Sequence, residues 1–321
     1  MNFAKFTTAT ALAGTLAFAA APAQSEEIKV LLDWYLNPDH APLIVAEQIG
    51  AFEDVGLEVE LIQPTDPSMP PRLLAAGKGD IAVSYQPSLY LLAEEELPVK
   101  RVATLVDTPL NTLAALKGSG IETIADFKGK SIGYSVSGVE MATLSVMLET
   151  EGLTLDDIEL VNVNFQLVSG LLTGRVDGVI GGYRNFEATE LRQQGAEGVM
   201  FLVEDHGVPM YDELIVLANA ERAEEPWVAD FVQALKMGTE YLRANPEETW
   251  TRFAEDYPDM NTELNETAWI DTLPMFADDP GMLDETRYIE YGEFLKANDL
   301  ISQDVDVLEY AVETKVETAT N

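Results

Sequence analysis

One local pattern occurs twice in the chain, and it constrains the fold more than any other feature. In residues 75–83, and again in residues 172–180, a helix end is followed by glycine, a basic residue, and an aspartate that leads towards a buried strand. Glycine suits the left-handed turn that ends a helix, so each copy predicts a helix-to-strand connection. Strands alternate with helices around both copies, which favours parallel sheets. We therefore expect two doubly wound α/β lobes.

Polar and aromatic side chains follow three strand ends in the first half of the chain. The apolar run at residues 28–32 stops at Asp33 and Trp34, and two further runs stop similarly near residues 63 and 84. In an open α/β sheet, ligands bind in the crevice beyond the carboxyl ends of the strands. The residues that we expect there are Asp33, Trp34, Asn37, His40, Asp66, Tyr85, Gln86 and Ser88.

The second half of the chain offers a similar set. Ser137 lies in a loop of small residues before a helix, and the strand at 177–182 is followed by Tyr183, Asn185 and Glu187. Tyr211 precedes a later strand and could cover one edge of the site. A tryptophan supplies a flat apolar face and the polar groups supply directional hydrogen bonds, which together suit a flat heterocycle with polar edges.

Three of these groups also have an ordinary structural interpretation. Trp34 could be a core residue beside an Asx-turn. Glu187 could be a carboxylate at a helix start, stabilised by the helix dipole. Residues 135–138 could be a simple helix entry rather than a contact for a polar ligand group.

The N-terminus has the pattern of a secretory signal. Lys5 precedes an apolar stretch at residues 9–21, and Ala21-Pro22-Ala23 provides a small-residue cleavage site. The stretch is short for a membrane span, and the chain has no cysteine to carry a lipid or a disulfide. We expect residues 1–23 to be removed and the mature protein to be periplasmic, with no membrane anchor.

The charge and the residue content exclude several function classes. The net formal charge is −37, which disfavours nucleic acid and anionic membrane surfaces as partners. The chain has two histidines and no cysteine, so we expect no metal site. It also lacks the nucleophile elbow of hydrolases and the glycine fingerprint of nucleotide-binding folds.

Several segments together resemble one family. They are Asp33-Trp34 with Asn37 and His40, residues 64–68, 77–80, 116–121 and 127–134, and the Tyr-x-Asn-x-Glu segment at 183–187. Over its mature length the chain resembles the bilobed substrate-binding proteins of ABC importers. Within them, it is similar to the branch that includes formylaminopyrimidine-binding proteins and fungal-type hydroxymethylpyrimidine phosphate synthases.

The resemblance implies an α/β, bilobed periplasmic binding protein fold of type II, with a two-crossing hinge. Lobe one would comprise residues 24–108 and 218–321, and lobe two residues 109–217. The protein would act as a monomer that captures a small heterocyclic ligand for a membrane permease and its ATPase. That ligand would be N-formyl-4-amino-5-aminomethyl-2-methylpyrimidine or hydroxymethylpyrimidine, taken up for thiamine salvage.

The resemblance also implies roles for the candidate residues. Trp34 would stack on the ligand ring with help from Tyr85 and Tyr183. Glu187 would accept two hydrogens from an aminopyrimidine, one at a ring nitrogen and one at the exocyclic amine. The remaining polar groups, Asn185, Asn37 and Asp33 among them, would satisfy the other donors and acceptors.

Alternative functions differ in the side chains that they require. The related synthases hold pyridoxal phosphate on a lysine and use a nearby histidine, and those positions fall on Ser84 and Ser88 here. We therefore expect a binding protein with no cofactor, not an enzyme. A riboflavin binder, a sulfonate binder, a secreted pyrimidine-processing enzyme and a structural or sensor protein remain open. For a sulfonate, only Arg184 lies near the cleft motifs.

Overall fold

The computed structural model describes residues 25–302 and 305–316. The signal peptide expected at residues 1–23 lies outside the described residues. Within the described ranges, no helix is both long and apolar enough to span a bilayer.

Strands and helices alternate along the chain. The strands formed by the described residues are β1 (Glu26–Leu31), β2 (Leu57–Ile62), β3 (Ile81–Ser84), β4 (Val99–Val106), β5 (Asn111–Leu116), β6 (Ser131–Tyr134), β7 (Glu159–Asn162), β8 (Gly178–Tyr183), β9 (Gly198–Leu202) and β10 (Leu214–Asn219). The α-helices are α1 (Ala41–Gln48), α2 (Ala51–Asp54), α3 (Pro70–Ala75), α4 (Gln86–Glu94), α5 (Val139–Glu149), α6 (Leu167–Leu172), α7 (Glu187–Gln193), α8 (Pro226–Ala244), α9 (Pro246–Asp256), α10 (Glu263–Thr272) and α11 (Glu285–Ala297).

The strands form two five-stranded sheets, one in each lobe. The order is β2-β1-β3-β10-β4 in lobe one and β7-β6-β8-β5-β9 in lobe two. The two-lobed α/β fold is confirmed. In each sheet three neighbouring strands are parallel, as expected. The expectation is wrong for β10 and β5, which run antiparallel to both their neighbours. Each of these two strands enters its sheet directly from the other lobe rather than through a helical crossover, which parallel pairing would require.

The chain passes between the sheets twice, after β4 and before β10. The boundary expected between residues 217 and 218 divides β10, whose first four residues already pair with the sheet of lobe one. The second crossing therefore lies before Leu214, because the hydrogen-bonding ladder of that strand begins there. With the second crossing moved to before Leu214, we keep the rest of the expected division into lobes as a proposal.

The two copies of the helix–glycine–aspartate pattern have the same structure. Gly77 and Gly174 follow α3 and α6 with left-handed φ angles of 67° and 68°. Asp80 accepts the backbone N–H of Lys29 (3.0 Å), and Asp177 accepts that of Ser131 (2.9 Å). Each aspartate thus ties the entry of β3 or β8 to the neighbouring parallel strand.

The core of lobe one lies between its sheet and the helices that cover it. Helices α1 and α8 pack against each other, and a Cβ at Gly238 of α8 would collide with the Pro42 carbonyl of α1. Such close backbone approach needs glycine. The inward side chains Ile28 and Val30 of β1 are fully buried beneath these helices. Strand β1 is therefore a rigid support for the residues that follow it.

Candidate functional site

A cavity of about 690 Å³ lies between the two lobes. It is bordered by the carboxyl-terminal ends of β1 and β3 in lobe one and of β6 and β8 in lobe two. Eight of the expected site residues line it, namely Asp33, Trp34, Asn37, His40, Tyr85, Tyr183, Glu187 and Tyr211. The volume is within the range of ordinary small-molecule sites, roughly 300–1,000 Å³.

Asp33 is held by two side chains of lobe one. Its Oδ1 lies 2.9 Å from His40 Nε2, and its Oδ2 accepts a hydrogen bond from the Tyr85 hydroxyl over 2.9 Å. His40 Nδ1 accepts the backbone N–H of Asn37 (3.3 Å), so a neutral imidazole carries its proton on Nε2 and donates it to Asp33. Burial, and then the neighbouring Asp33, raise the pKa of Tyr85 well above its usual value. Asp33 therefore positions Tyr85 on the cavity wall.

Glu187 lies at the start of α7, directly after the end of β8. Its Oε2 accepts the backbone N–H of Tyr183 over 2.6 Å. Among the described residues, no side chain donates to this carboxyl group. Burial raises its pKa from 4.5 to about 8, against the lowering effect of the backbone hydrogen bonds. Glu187 is thus a cavity group with hydrogen-bonding capacity to spare.

Asn185 does not line the cavity, although we expected it to contact the ligand. Its side-chain Nδ2 lies 2.6 Å from Asp39 Oδ1 and 2.7 Å from Thr272 Oγ1, both in lobe one. All three residues are buried. Asn185 lies midway between Tyr183 and Glu187 in sequence, and both of those residues line the cavity. The Asn185 side chain instead connects the two lobes.

Gln86 and Ser88 also lie outside the cavity lining. The Gln86 side chain accepts the Asp212 backbone N–H (2.7 Å) and donates to the Tyr90 hydroxyl (3.0 Å), so it supports the second hinge crossing. Ser88 lies in the first turn of α4, which begins at Gln86. The Ser88 N–H therefore bonds within the first turn, to the Tyr85 carbonyl.

Asp66 and Ser137 lie at the edge of the cleft, not in the cavity lining. Asp66 Oδ1 accepts the backbone N–H of Ser68 within its own loop (2.8 Å). The Ser137 N–H donates to Ser68 Oγ across the lobes (3.1 Å). The Asp66 carboxyl group thus stabilises its own loop, and the Ser137 N–H forms a contact between the lobes. We had expected both residues to contact the ligand.

Trp34 meets an aromatic residue of the other lobe. Its ring lies edge-on to Phe165 with a centroid distance of 4.6 Å, and Tyr35 stacks on the same ring at 4.3 Å. Trp34 and Phe165 both line the cavity. The stacking of Trp34 on a ligand stays a prediction, and the contact that the structure shows for it is with the opposite lobe.

Glu213 connects the two hinge crossings, and sequence reasoning missed it. Its Oε2 accepts the backbone N–H groups of Leu110 (2.6 Å) and Asn111 (2.9 Å) in the first crossing, and the Tyr211 hydroxyl (3.0 Å) in the second. Its Oε1 lies 3.3 Å from the Tyr183 hydroxyl on the cavity wall. A ligand that contacts Tyr183 would therefore be connected to the hinge through the hydrogen bond between Tyr183 and Glu213.

Glu140, Phe165 and Tyr35 were missed as well. Glu140 is buried at the start of α5, and burial raises its pKa to about 8. Its position follows the end of β6, so the strand-end rule that selects Asp33 could have found it. Phe165 follows the end of β7 in the same way. Tyr35 directly follows Trp34, but no separate signal in the sequence distinguished it.

The cavity is rich in carboxyl groups and poor in cations. Its acidic side chains are Asp33, Asp39, Glu140, Glu187, Glu190 and Glu213. No lysine or arginine of the described chain is part of the lining. Arg184, the cation nearest the motifs, instead pairs with Glu204 through two hydrogen bonds of 2.6 and 2.7 Å. The site thus favours hydrogen-bond donors and cations over anions, and the described residues contain no acid or histidine cluster suited to a metal ion.

Comparison with known sequences connects the chain to thiamine metabolism. The model of the NMT1/THI5-like family matches residues 37–249. A Haemophilus influenzae protein named for thiamine biosynthesis is 50% identical and covers 90% of this chain and 92% of its own length. The formylaminopyrimidine-binding protein of Halalkalibacterium halodurans is 33% identical, with 87% and 88% covered. A 4-amino-5-hydroxymethyl-2-methylpyrimidine phosphate synthase of Uromyces fabae is 29% identical, with 75% and 74% covered.

Solved structures of similar fold include periplasmic binding proteins. The alkanesulfonate-binding protein of Xanthomonas axonopodis matches with a TM-score of 0.70 at 16% identity, covering 90% of this chain and 99% of that one. A Candida albicans protein described as having the generic periplasmic binding protein fold also matches with a TM-score of 0.70 at 16% identity, with 92% and 99% covered. At this level of identity the likeness concerns the fold alone.

Proposed function

This chain belongs to the NMT1/THI5-like family, and we propose that it is the extracytoplasmic receptor of an ABC importer for a pyrimidine precursor of thiamine. The ligand would be N-formyl-4-amino-5-aminomethyl-2-methylpyrimidine or hydroxymethylpyrimidine. A membrane permease and an ATPase would be its partners, and the N-terminal signal would direct it to the periplasm.

The observation that carries this proposal is the state of Glu187. Its carboxyl group has no side-chain partner among the described residues and lines a cavity between two lobes to which aromatic residues also contribute. A carboxyl group has two oxygens side by side, and an aminopyrimidine has a ring nitrogen beside an exocyclic amine. The two edges match in a pair of hydrogen bonds.

The raised pKa of Glu187 supports the same pairing. With a pKa of about 8, the carboxyl group holds a proton at neutral pH. The protonated group donates its O–H to the ring nitrogen while its other oxygen accepts from the amine, so a neutral base binds without leaving a buried charge unpaired. The proton can move along this bond to the ring nitrogen, and the pair then becomes charge-assisted.

The cavity argues against an anionic ligand. A sulfonate or a phosphate requires basic side chains or clustered N–H donors, and the lining offers carboxyl groups and no lysine or arginine from the described residues. A flavin is the second candidate, because the volume also admits a larger heterocycle. Riboflavin is therefore included as a competitor in the binding experiment below.

The residues do not fit the cofactor of the related synthases. The position expected for the cofactor lysine is Ser84, which is buried at the end of β3 with an unpaired hydroxyl. Ser88, at the position of the active-site histidine, does not line the cavity. With no amine at this place to form a Schiff base with an aldehyde, the site supports binding rather than pyrimidine synthesis.

Binding and transport would be coupled through closure of the lobes. A ligand held by Tyr85 of lobe one and Glu187 of lobe two stabilises the arrangement in which both walls are close. The permease would then distinguish the closed, loaded receptor from the open one.

The test is calorimetric titration of the purified mature protein with formylaminopyrimidine, hydroxymethylpyrimidine and riboflavin, together with mass spectrometry of any compound that co-purifies. We expect a pyrimidine to bind with a dissociation constant in the micromolar range or below, and to be displaced only by another pyrimidine. Binding of riboflavin but of neither pyrimidine would overturn the proposed ligand. Conversion of a bound pyrimidine into product would overturn the assignment as a receptor.

A further inference from the structure

Four of the six carboxyl groups that line the cavity are already bonded by side chains. They are Asp33 (to His40 and Tyr85), Asp39 (to Asn185 and Thr272), Glu190 (to Gln194) and Glu213 (to Tyr183 and Tyr211). The remaining two are Glu187 and Glu140. In the described part of the chain, both accept backbone N–H groups and no side-chain donor.

The wall around Glu140 keeps its carboxyl group in the cavity. Its Oε2 accepts the Ser135 N–H over 2.7 Å, and the side chain is buried in the first turn of α5. A Cβ at Gly181 would collide with Oε1 of Glu140, and Gly181, with a φ of 95°, also lines the cavity. Glycine at this bend of β8 therefore leaves the space that the carboxyl group occupies.

The surroundings give Glu140 no compensating positive charge. The ionisable groups that act on it are the carboxyl groups of Glu213 and Glu187, whose ionised forms would repel its own negative form and raise its pKa further. A buried carboxyl group without a cation is costly unless a ligand supplies the missing donor. Because Glu187 and Glu140 belong to α7 and α5, at the ends of two adjacent strands, one ligand can meet both.

We propose that Glu140 is a second ligand-binding group, and that it selects pyrimidines whose side arm ends in an amine over those whose arm ends in a hydroxyl. This inference rests on the proposed function, in which Glu187 holds the aminopyrimidine edge. When an ammonium group binds, Glu140 releases its proton to solvent, and the resulting carboxylate accepts charge-assisted hydrogen bonds that are about twice as strong as the neutral bond that a hydroxyl gives. The carboxyl-rich lining adds to this preference for a cationic arm.

The test compares two probes that share the aminopyrimidine edge, 4-amino-5-aminomethyl-2-methylpyrimidine and 4-amino-5-hydroxymethyl-2-methylpyrimidine, by calorimetry at pH 7. We expect the unaltered protein to bind the aminomethyl compound at least about tenfold more tightly. Glu140→Gln should remove that preference while changing the affinity for the hydroxymethyl compound less than about threefold. Glu149→Gln, the same change at an exposed position of the same helix, should leave the preference intact.

A second variant makes the result independent of one substitution. Glu140→Asp keeps a carboxyl group but withdraws it by one methylene, and it should reduce the preference partly. Equal affinity of the unaltered protein for both probes, or a preference that survives in Glu140→Gln, would overturn the role of Glu140 and leave the proposed function standing. Failure of the unaltered protein to bind either probe would overturn this inference, and the proposed function would fall with it only if the formylaminopyrimidine also does not bind.

Discussion

Asn185 of lobe two and Asp39 of lobe one are joined by a hydrogen bond of 2.6 Å between the side-chain amide and carboxyl groups. Thr272 Oγ1 lies 2.7 Å from the same amide nitrogen and 2.9 Å from the same carboxyl oxygen. The cluster can form only when the lobes are together. Together with the contacts of Phe165 with Trp34 and Tyr35, it holds the lobes in the arrangement seen in the structure.

Removal of the Asn185 amide should shift the protein towards the open form. A ligand then has to supply the free energy of closure that the cluster now contributes, so Asn185→Ala should weaken ligand binding by about three- to tenfold. Small-angle X-ray scattering of the unliganded variant should show a larger radius of gyration. Glu151→Ala, at an exposed position of lobe two, is the control. Unchanged affinity and scattering would show that Asn185 does not stabilise closure.

Loss of the Glu187 carboxyl group should affect binding and not folding. Glu187→Ala removes both hydrogen bonds to the aminopyrimidine edge, so the affinity should fall by more than about tenfold. The thermal unfolding midpoint of the unliganded protein should stay the same or rise, because a desolvated carboxyl group is lost. Glu151→Ala, an exposed change in the same lobe, should alter neither quantity. Equal affinity in the Glu187 variant would remove this residue from the site.

The stability of the unliganded protein should fall as the pH rises. Burial raises the pKa of Glu140 and of Glu187 from 4.5 to about 8. Between these values the folded state retains protons that the unfolded state has lost, so the free energy of unfolding decreases with pH and the loss is complete above about pH 8.

Urea unfolding at pH 5 and at pH 8.5 measures this effect. Glu140→Gln should be more stable than the unaltered protein at pH 8.5 by at least about 1 kcal/mol, with a smaller difference at pH 5. Glu149→Gln should follow the unaltered protein at both values. If Glu140→Gln also follows it, the Glu140 carboxyl group is not perturbed by burial.

Trp34 should report on ligand binding through its fluorescence. Its ring lines the cavity and contacts Phe165 of the other lobe, so a ligand that enters or closes the cleft changes its surroundings. We expect quenching at saturation that is lost in Trp34→Phe and kept in Trp250→Phe, since Trp250 packs against Phe253 and Trp269 in lobe one. Trp34→Ala should also lower the affinity. Quenching that persists in Trp34→Phe would contradict contact between this residue and the ligand.

Local sequence predicts the position of the site. It does not identify every side chain that lines the cavity. The strand-end rule placed Asp33, Tyr85, Tyr183 and Glu187 on the cavity wall, because strand ends are marked by adjacent residues. The same rule also selected Asn185 and Gln86, whose side chains lie outside the cavity lining. The partners of Asn185 are 146 and 87 residues away, and Gln86 meets Asp212 from 126 residues away, so nothing local could show that these side chains were already occupied.

The sequence by itself determined two α/β lobes and the strands that open towards the cleft between them, since hydrophobic periodicity and glycine-ended helices are properties of neighbouring residues. The tertiary structure decided which carboxyl groups are free. Six acids line one cavity, and only the packing of both lobes and the hinge shows that four have side-chain partners within the described chain and that Glu140 and Glu187 have only backbone donors. Hydrogen bonds between residues distant in sequence determine which carboxyl groups have partners. A carboxyl oxygen that already accepts a hydrogen bond from a protein side chain is less available to a ligand.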